Sequence, residues 1–191
     1  MEKDNWQEYK ARGNMAENAV HFLISSMHGW KCHKFGMENH IEEIRKTLRD
    51  KQDEISRKVR TMPDLMAINS TTGEVLLFDV KYRSFIDRRD PKTALYGFDY
   101  AQMRDYLQFW PEALLVVATN YEPYFTVISL KDIEWHKHFH SRTNGNGTLY
   151  EQWNLAGIQK SIKDVFPNLP EEIIQKARNM LPRKINLDPR D

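Results

Sequence analysis

The sequence predicts a mixed α/β domain in which a central β-sheet is flanked by helices. Short runs rich in Val, Leu and Ile are typical of buried strands. Segments with apolar residues at helical spacing alternate with these runs, and clusters of Gly, Pro, Asn and Ser separate the two kinds. The chain of 191 residues has the length of about one domain, and 40% of its residues are hydrophobic, which is enough for a packed core.

The first helix is predicted over residues 14–27, where apolar residues recur at helical spacing. Asn14 is suited to the N-cap, and Glu17 stands three residues later, at the spacing of a capping box. Gly29 is a suitable helix stop, and the alternating pattern of residues 30–35 then predicts a short strand. The apolar face of this helix comprises Ala16, Ala19, Val20, Leu23, Ile24 and Met27.

Residues 38–59 predict a long polar helix inserted before the next strands, because isolated aliphatic residues recur there near helical spacing. Two apolar segments follow at residues 65–68 and 75–82. The turn-forming residues 69–73 separate these two segments, which predicts a β-hairpin.

A basic loop at residues 83–92 precedes a helix predicted over about residues 99–110, which Pro111 ends. Two strands are then predicted at residues 113–119 and 124–130 from their Val, Leu and Ile content. The coarse order of elements is therefore helix, strand, inserted helix, two strands, helix and two strands.

The C-terminal part of the chain is predicted to be helical. A polar connection at residues 131–149 leads to two helical stretches, at about residues 150–164 and 170–180. We therefore expect residues 1–130 to form the core with an N-terminal extension. Residues 131–191 are expected to form a C-terminal helical extension packed on the same domain.

Composition excludes several classes of site and predicts a cytoplasmic protein with no membrane partner. Cys32 is the only cysteine, so a disulfide framework or a cysteine-based metal site within one chain is excluded. No apolar run reaches the roughly 18 residues of a transmembrane helix, and the first residues do not resemble a signal peptide. The net charge is only +1, so any nucleic-acid surface must be local; residues 31–60 and 81–92 are locally basic.

The polar residues of the predicted hairpin point to a metal-dependent reaction on phosphate. Side chains alternate along a strand, so Asp79 and Lys81 share one face, and pairing in the hairpin would bring Asp64 near Asp79. Two converging carboxylates form a hard-oxygen site that suits Mg²⁺ or Mn²⁺. A neighbouring lysine can orient an attacking water and stabilise charge on a phosphate, which suits phosphodiester hydrolysis.

The same hairpin resembles the signature of the PD-(D/E)XK nuclease superfamily, also called restriction-endonuclease-like. The matching residues are Pro63-Asp64, a gap of 14 residues, and then Asp79-Val80-Lys81. The resemblance covers about residues 10–130. Members of the superfamily share a core of the order αβββαβ, which agrees with the order of elements predicted here.

Two further motifs are similar to subgroups of that superfamily. Residues 10–17, which end in Glu17, are similar to the start of Holliday-junction-resolvase-like members, whose first helix carries a metal-site glutamate. Gln102 and Tyr106 resemble the Gln-x-x-x-Tyr motif of RecB-like nucleases. The inserted helix departs from compact resolvases, and the chain lacks the cysteines of iron–sulfur members of the RecB-like group.

The resemblance implies a divalent-metal-dependent nuclease that hydrolyses DNA as an endonuclease and leaves a 5′-phosphate. It implies that Mg²⁺ or Mn²⁺ is held by Asp64, Asp79 and the carbonyl of Val80, and that Glu17 completes the site directly or through water. Lys81 would position the attacking water, and Gln102 and Tyr106 would support Lys81 or a phosphate. Basic residues that follow the catalytic strand are candidates for nucleic-acid binding, namely Arg83, Arg88, Arg89 and Lys92.

Every candidate also has a structural interpretation, and two other functions stay open. The structural interpretations are a capping partner for Glu17, a turn residue for Asp64, a salt bridge for Asp79 with Lys81, and a core aromatic residue for Tyr106. The chain could instead be a catalytically weak nucleic-acid-binding or assembly subunit with the same fold. It could also be a nuclease subunit that needs a partner protein, and a homodimer is a further possibility.

Overall fold

The computed structural model describes residues 3–36, 46–48, 50–83, 95–143 and 149–182. Within these ranges the strands are β1 (Trp30–Lys34), β2 (Leu65–Asn69), β3 (Val75–Tyr82), β4 (Leu95–Tyr96), β5 (Leu114–Ala118), β6 (Phe125–Ser129), β7 (Phe139–Thr143), β8 (Leu149–Asn154) and β9 (Gln159–Ser161). The helices are α1 (Lys3–Ser25), α2 (Glu54–Arg60), α3 (Tyr100–Phe109), α4 (Trp135–His138), α5 (Ile162–Val165) and α6 (Glu171–Arg178), with a 3₁₀ helix at Leu130–Asp132. Residues 46–48 are also helical.

Six strands form a central mixed sheet in the order β1-β2-β3-β5-β6-β9. β3 and β5 run parallel, and the other neighbours in this sheet are antiparallel. A parallel pair needs a crossover connection, and α3 lies in the segment that joins β3 to β5. The β2–β3 hairpin pairs Leu65 with Phe78 and Ile68 with Val75, which fixes the face on which each side chain lies.

The central sheet is buried on both faces, each against its own apolar cluster. On one face the sheet packs against α1 and α6, where Leu23 is fully buried in the same cluster as Phe78. The cluster on the other face contains Met103 of α3 together with Leu115. Leu77 packs against this second cluster, so successive residues of β3 alternate between the two faces.

A three-stranded antiparallel sheet, in the order β4-β8-β7, contacts the start of α3 through aromatic rings. Trp153 of β8 is fully buried, and its ring centroid lies 5.0 Å from that of Trp135 and 5.1 Å from that of Phe139. Tyr100, the first residue of α3, meets Trp135 edge to face at a centroid distance of 4.7 Å. This packing holds the N-terminal end of α3 in place.

The predicted α/β class is confirmed, since the structure is a mixed, largely antiparallel six-stranded sheet flanked by helices. The predicted hairpin, the helix at about residues 99–110, the two strands after it and the helix at about residues 170–180 are also present. No helix in the described ranges combines the length and the apolar character that crossing a membrane requires.

The first helix begins at residue 3 and not at Asn14, so the predicted N-cap at Asn14 and its capping box with Glu17 were wrong. Lys10, Ala11 and Arg12 are good helix formers, and Arg12 forms an ion pair with Glu8 one turn earlier. The helix therefore continues into solvent beyond its buried part. Its predicted apolar face is otherwise confirmed, because Ala16, Ala19, Val20, Leu23 and Ile24 are fully buried.

The single helix predicted over residues 38–59 was also wrong. Residues 51–53 are not helical, and Asp53 instead caps α2, accepting a hydrogen bond from the backbone N–H of Ser56 at 2.9 Å. An aspartate side chain that bonds backbone N–H groups favours a helix start over a helix interior. Residues 37–45 and 49 lie outside the described residues.

The helix predicted over residues 150–164 was wrong as well, because this segment supplies β8 and β9. Trp153 and Leu155 are both buried, and this spacing of two is the periodicity of extended chain rather than of a helix. β9 completes the edge of the central sheet beside β6. The C-terminal part is therefore mixed in structure, and it shares the core with α1 through residues such as Ile174 and Ala177.

We expect Leu23→Ala to lower the free energy of unfolding by about 2–5 kcal/mol, because it leaves a cavity between α1 and the sheet. Urea denaturation followed by circular dichroism measures this change. Met15→Ala on the same helix is the matched control, since Met15 is 40% exposed and its truncation is expected to cost less than about 0.5 kcal/mol. Equal losses in both variants would contradict the assignment of the buried face.

Candidate functional site

Two carboxylates meet where β2 begins and β3 approaches its end. Asp64 directly precedes β2, and because Leu65 pairs with Phe78, the same register places Asp64 opposite Asp79. The Oδ2 atom of Asp64 accepts a hydrogen bond from the backbone N–H of Val80 at 2.7 Å. The hairpin therefore brings these two sequence-predicted ligands together.

Asp79 is only 1% exposed, and two neighbouring side chains compensate its charge. The Nζ atom of Lys81 lies 2.7 Å from Oδ2 of Asp79, on the same face of β3. The hydroxyl of Tyr106, which projects from α3, donates a short hydrogen bond to Oδ1 of Asp79. The carboxylate is thus held from its own strand and from the helix that covers it.

Tyr106 is the centre of this group because its hydroxyl uses all of its hydrogen-bonding capacity. It donates to Asp79 and accepts from Lys81 Nζ at 3.2 Å and from Gln102 Nε2 at 3.1 Å. A phenol has one donor and two acceptor sites, so no further partner is needed. The backbone N–H of Gln102 donates to the side chain of the N-cap residue Asp99 at 2.8 Å, so Gln102 contacts both the helix cap and the Tyr106 hydroxyl.

Glu17 lies at the same end of the sheet but does not touch the two aspartates. It is 8% exposed on α1, and its Oε1 atom lies 3.0 Å from Nζ of Lys34. Lys34 ends β1 and pairs with Leu65, the residue after Asp64. The charge of Glu17 contributes to raising the pKa of Asp64, so the three carboxylates share one electrostatic environment.

The electrostatics differ among the members of this group. Burial and, after it, the charge of Asp79 raise the pKa of Asp64 to about 8. Burial alone would lower the pKa of Lys81. The charges around it, that of Asp79 foremost, and its hydrogen bond to Asp79 together outweigh burial, so the pKa of Lys81 lies well above its ordinary value. Burial and the charge of Asp79 also raise the pKa of Tyr106. Near neutral pH Lys81 is therefore a charged ammonium and Tyr106 a neutral phenol.

The donor atoms fit a hard divalent cation. Oδ2 of Asp79 and Oε1 of Glu17 are buried and accept no well-directed hydrogen bond, although a lysine ammonium faces each of them. Buried carboxylate oxygens of this kind are suitable ligands for Mg²⁺ or Mn²⁺. Among the described residues, no three His, Cys, Asp or Glu side chains already form a group that could hold a metal ion.

Arg83 was predicted to contact nucleic acid, and the structure places its guanidinium against the protein. Its Nη1 atom donates to the carbonyl of Tyr82 at 2.8 Å, and its Nη2 atom donates to the carbonyl of Gly97 at 3.0 Å. The guanidinium also lies over the ring of Phe98, 4.8 Å from its centroid. Arg83 therefore joins the end of β3 to the segment before α3. The other three predicted contacts, Arg88, Arg89 and Lys92, lie outside the described residues.

Two features of the site were missed in the sequence. Lys34 faces Glu17, and the alternation of Trp30, Cys32 and Lys34 already indicated that Lys34 lies on the side of β1 that faces the core. Arg57 pairs with Asp105 of α3, next to Tyr106. No local pattern indicates this pair, because 48 residues separate its members.

We expect Asp64→Asn to stabilise the protein at high pH. The folded protein holds the Asp64 proton up to a pKa of about 8, whereas the unfolded chain releases it near pH 4, so stability from this group is lost as the pH rises between these values. The variant should gain up to about 5 kcal/mol at pH 8.5, because each pKa unit is worth about 1.4 kcal/mol, and the gain should vanish toward pH 4. Thermal unfolding with a chelator present measures it. Glu112→Gln, at a side chain 80% exposed, should show no such trend, and a gain independent of pH at Asp64 would contradict the cause given.

Comparison of the chain with protein-family models, with curated proteins and with solved structures gave no match.

Proposed function

We propose that this chain is a divalent-metal-dependent nuclease that hydrolyses DNA phosphodiester bonds as an endonuclease, built on a restriction-endonuclease-like core. The observation that carries the proposal is the convergence of Asp64, Asp79 and Lys81 at one end of the hairpin. A structural salt bridge would account for Asp79 and Lys81. It would not account for a second carboxylate placed beside them, whose burial there costs stability.

The order of elements around the site supports the same proposal. α1, β1, β2, β3, α3 and β5 come in the order αβββαβ, with α2 inserted between β1 and β2 and β4 inserted between β3 and α3. The candidate ligand Glu17 comes from the first helix, the two aspartates flank the β2–β3 pairing, and Gln102 and Tyr106 come from the helix after β3. Each candidate therefore lies on the element that the resemblance assigns to it.

The residues that would hold Mg²⁺ or Mn²⁺ are Asp64, Asp79, Glu17 and the carbonyl of Val80. When bound, the ion would polarise the scissile phosphate and lower the pKa of an attacking water. The chemistry of the donor set supports this assignment, because the charge of Asp79 disfavours ionised Asp64, and a bound cation would favour the ionised form of both carboxylates.

Lys81 would orient the attacking water and stabilise negative charge on the phosphate. Its raised pKa keeps the amine protonated, so it acts as a charge and hydrogen-bond donor and not as a general base. Tyr106 holds this ammonium in place through its hydroxyl, and Gln102 fixes that hydroxyl by donating to its oxygen. In-line attack would then leave a 5′-phosphate, as the resemblance implies.

One observation favours a second candidate, a catalytically weak nucleic-acid-binding or assembly subunit. Lys81 and Lys34 neutralise Asp79 and Glu17 without a metal ion, so this end of the sheet is already balanced in charge. Such a subunit needs no metal affinity, whereas the nuclease does. A nuclease that needs a partner protein would bind the metal yet cleave nothing alone.

We expect Asp79→Asn to lower Mg²⁺-dependent cleavage by at least about 100-fold without unfolding the protein, since it removes a ligand charge and keeps the side-chain shape. The assay is a panel of labelled linear duplex, single strand, flap, four-way junction and RNA, with Mg²⁺ or Mn²⁺. Glu112→Gln is the control with the same charge change at an exposed position. Undiminished cleavage by Asp79→Asn would refute the proposed role.

We expect saturable Mn²⁺ binding by the wild-type chain, because the paired carboxylates are hard-oxygen ligands. Calorimetric titration and the rise of melting temperature with Mn²⁺ both measure it. Asp64→Asn and Asp79→Asn should each weaken binding by about tenfold or more, while Glu112→Gln should bind as the wild type does. If neither substitution weakens Mn²⁺ binding, the result would favour the non-catalytic subunit.

A further inference from the structure

α2 is a helix that its apolar residues do not hold in place. It has seven residues, of which only Ser56 is buried, and Ile55 is 76% exposed. So short a helix is marginal on its own, and burial contributes little here. The side-chain contacts that join α2 to residues 105–110 are hydrogen bonds, an ion pair and cation–π contacts.

Arg57 supplies the main contact, because its guanidinium forms an ion pair with Asp105 of α3. Its Nε atom lies 3.2 Å from each carboxylate oxygen, and its Nη2 atom makes a short bond to Oδ1 of Asp105. The same Nη2 atom donates to Oε1 of Gln108 at 3.0 Å, and the guanidinium lies over the ring of Phe109 at 5.3 Å. Asp105 is buried, so this is a charge-assisted pair largely shielded from water.

Lys58, the residue after Arg57, makes a second contact between α2 and the end of α3. The indole Nε1 of Trp110, just after α3, donates to the carbonyl of Lys58 at 3.3 Å. The ammonium of Lys58 lies 5.7 Å from the centre of the Trp110 ring. α2 is thereby joined to the C-terminal half of α3 at two points.

Both ends of the Arg57–Asp105 pair lie close in sequence to the candidate site. Asp105 is the neighbour of Tyr106 on α3. On the other side, the hydroxyl of Thr61 donates to the carbonyl of Arg57 at 2.9 Å, and Asp64 follows three residues after Thr61. The pair therefore connects the segment that carries Asp64 with the helix that carries Tyr106.

We propose that Arg57 and Asp105 are positioning residues that set the placement of Tyr106 relative to Asp64 and Asp79. The proposal rests on the proposed nuclease function, and it assigns no contact of Arg57 or Asp105 with substrate. It gives α2 a defined role. The guanidinium of Arg57 limits both the translation of α3 along its axis and its rotation about that axis, so that the Tyr106 hydroxyl keeps its hydrogen bond to Asp79.

The test compares Arg57→Gln and Asp105→Asn with Arg104→Gln. Arg104 contacts the same carboxylate at 2.9 Å, but it belongs to α3 and cannot connect α3 to α2, so its loss is the matched control. We expect the first two variants to lower kcat by about 10- to 100-fold with KM changed less than about threefold. The double variant should lose no more than the worse single one, and Arg104→Gln should stay within about twofold.

A readout independent of activity separates this proposal from the nuclease assignment. The chain has 8 tyrosines, and after labelling with 3-fluorotyrosine the ¹⁹F signal of Tyr106 is identified with Tyr106→Phe. The chemical shift of this signal should change in Arg57→Gln and Asp105→Asn and stay unchanged in Arg104→Gln. It should change less in Arg57→Lys, because lysine keeps the charge but lacks the planar guanidinium.

An unmoved Tyr106 signal in folded Arg57→Gln overturns the proposal, and so does an equal shift in Arg104→Gln. If Arg57→Gln does not fold, Arg57→Lys takes its place in the same comparison. If the wild type cleaves no substrate, the nuclease function fails and the ¹⁹F signals alone decide whether Arg57 and Asp105 position Tyr106.

Discussion

The buried charge of Asp79 is the constraint on which the rest of the site depends. At 1% exposure this carboxylate has lost its hydration, and leaving it unpaired would cost several kcal/mol. Lys81 supplies the opposite charge from the same face of β3, and Tyr106 supplies a hydrogen bond from α3. If α3 shifted along the sheet, Asp79 would lose the Tyr106 hydrogen bond and keep only Lys81, so the charge of Asp79 favours the observed position of this helix.

The same compensation makes the two aspartates unequal. Asp79 has both an ammonium and a phenol as partners, whereas Asp64 has a backbone N–H and a more distant Lys81. Burial, and after it the charge of Asp79, therefore raise the pKa of Asp64 to about 8. Without a metal ion, a proton on Asp64 relieves the repulsion near neutral pH. In the function proposed above, a divalent cation would relieve it instead by attracting both carboxylates.

Sequence reasoning succeeded where the relevant residues are close along the chain. The hairpin register and the shared face of Asp79 and Lys81 follow from strand alternation, and Gln102 lies one helical turn from Tyr106. It failed where distant partners decide the structure. β8 becomes a strand because β4 and β7 pair with it, and the local pattern of residues 150–164 does not show those partners. The pair of Arg57 and Asp105 is likewise a tertiary contact with no local signal.

The way in which α2 is held bears on what an inserted element can do near a reactive site. Apolar burial is non-directional, so the little apolar surface that α2 buries does not by itself fix the orientation of this helix. The hydrogen-bonded ion pair between a guanidinium and a carboxylate is directional, and it weakens when the geometry changes. α2 buries only Ser56 and is fixed by Arg57, so its contribution is to orientation more than to the core. Such an element suits a site in which one hydroxyl, that of Tyr106, must stay aligned with both Asp79 and Lys81.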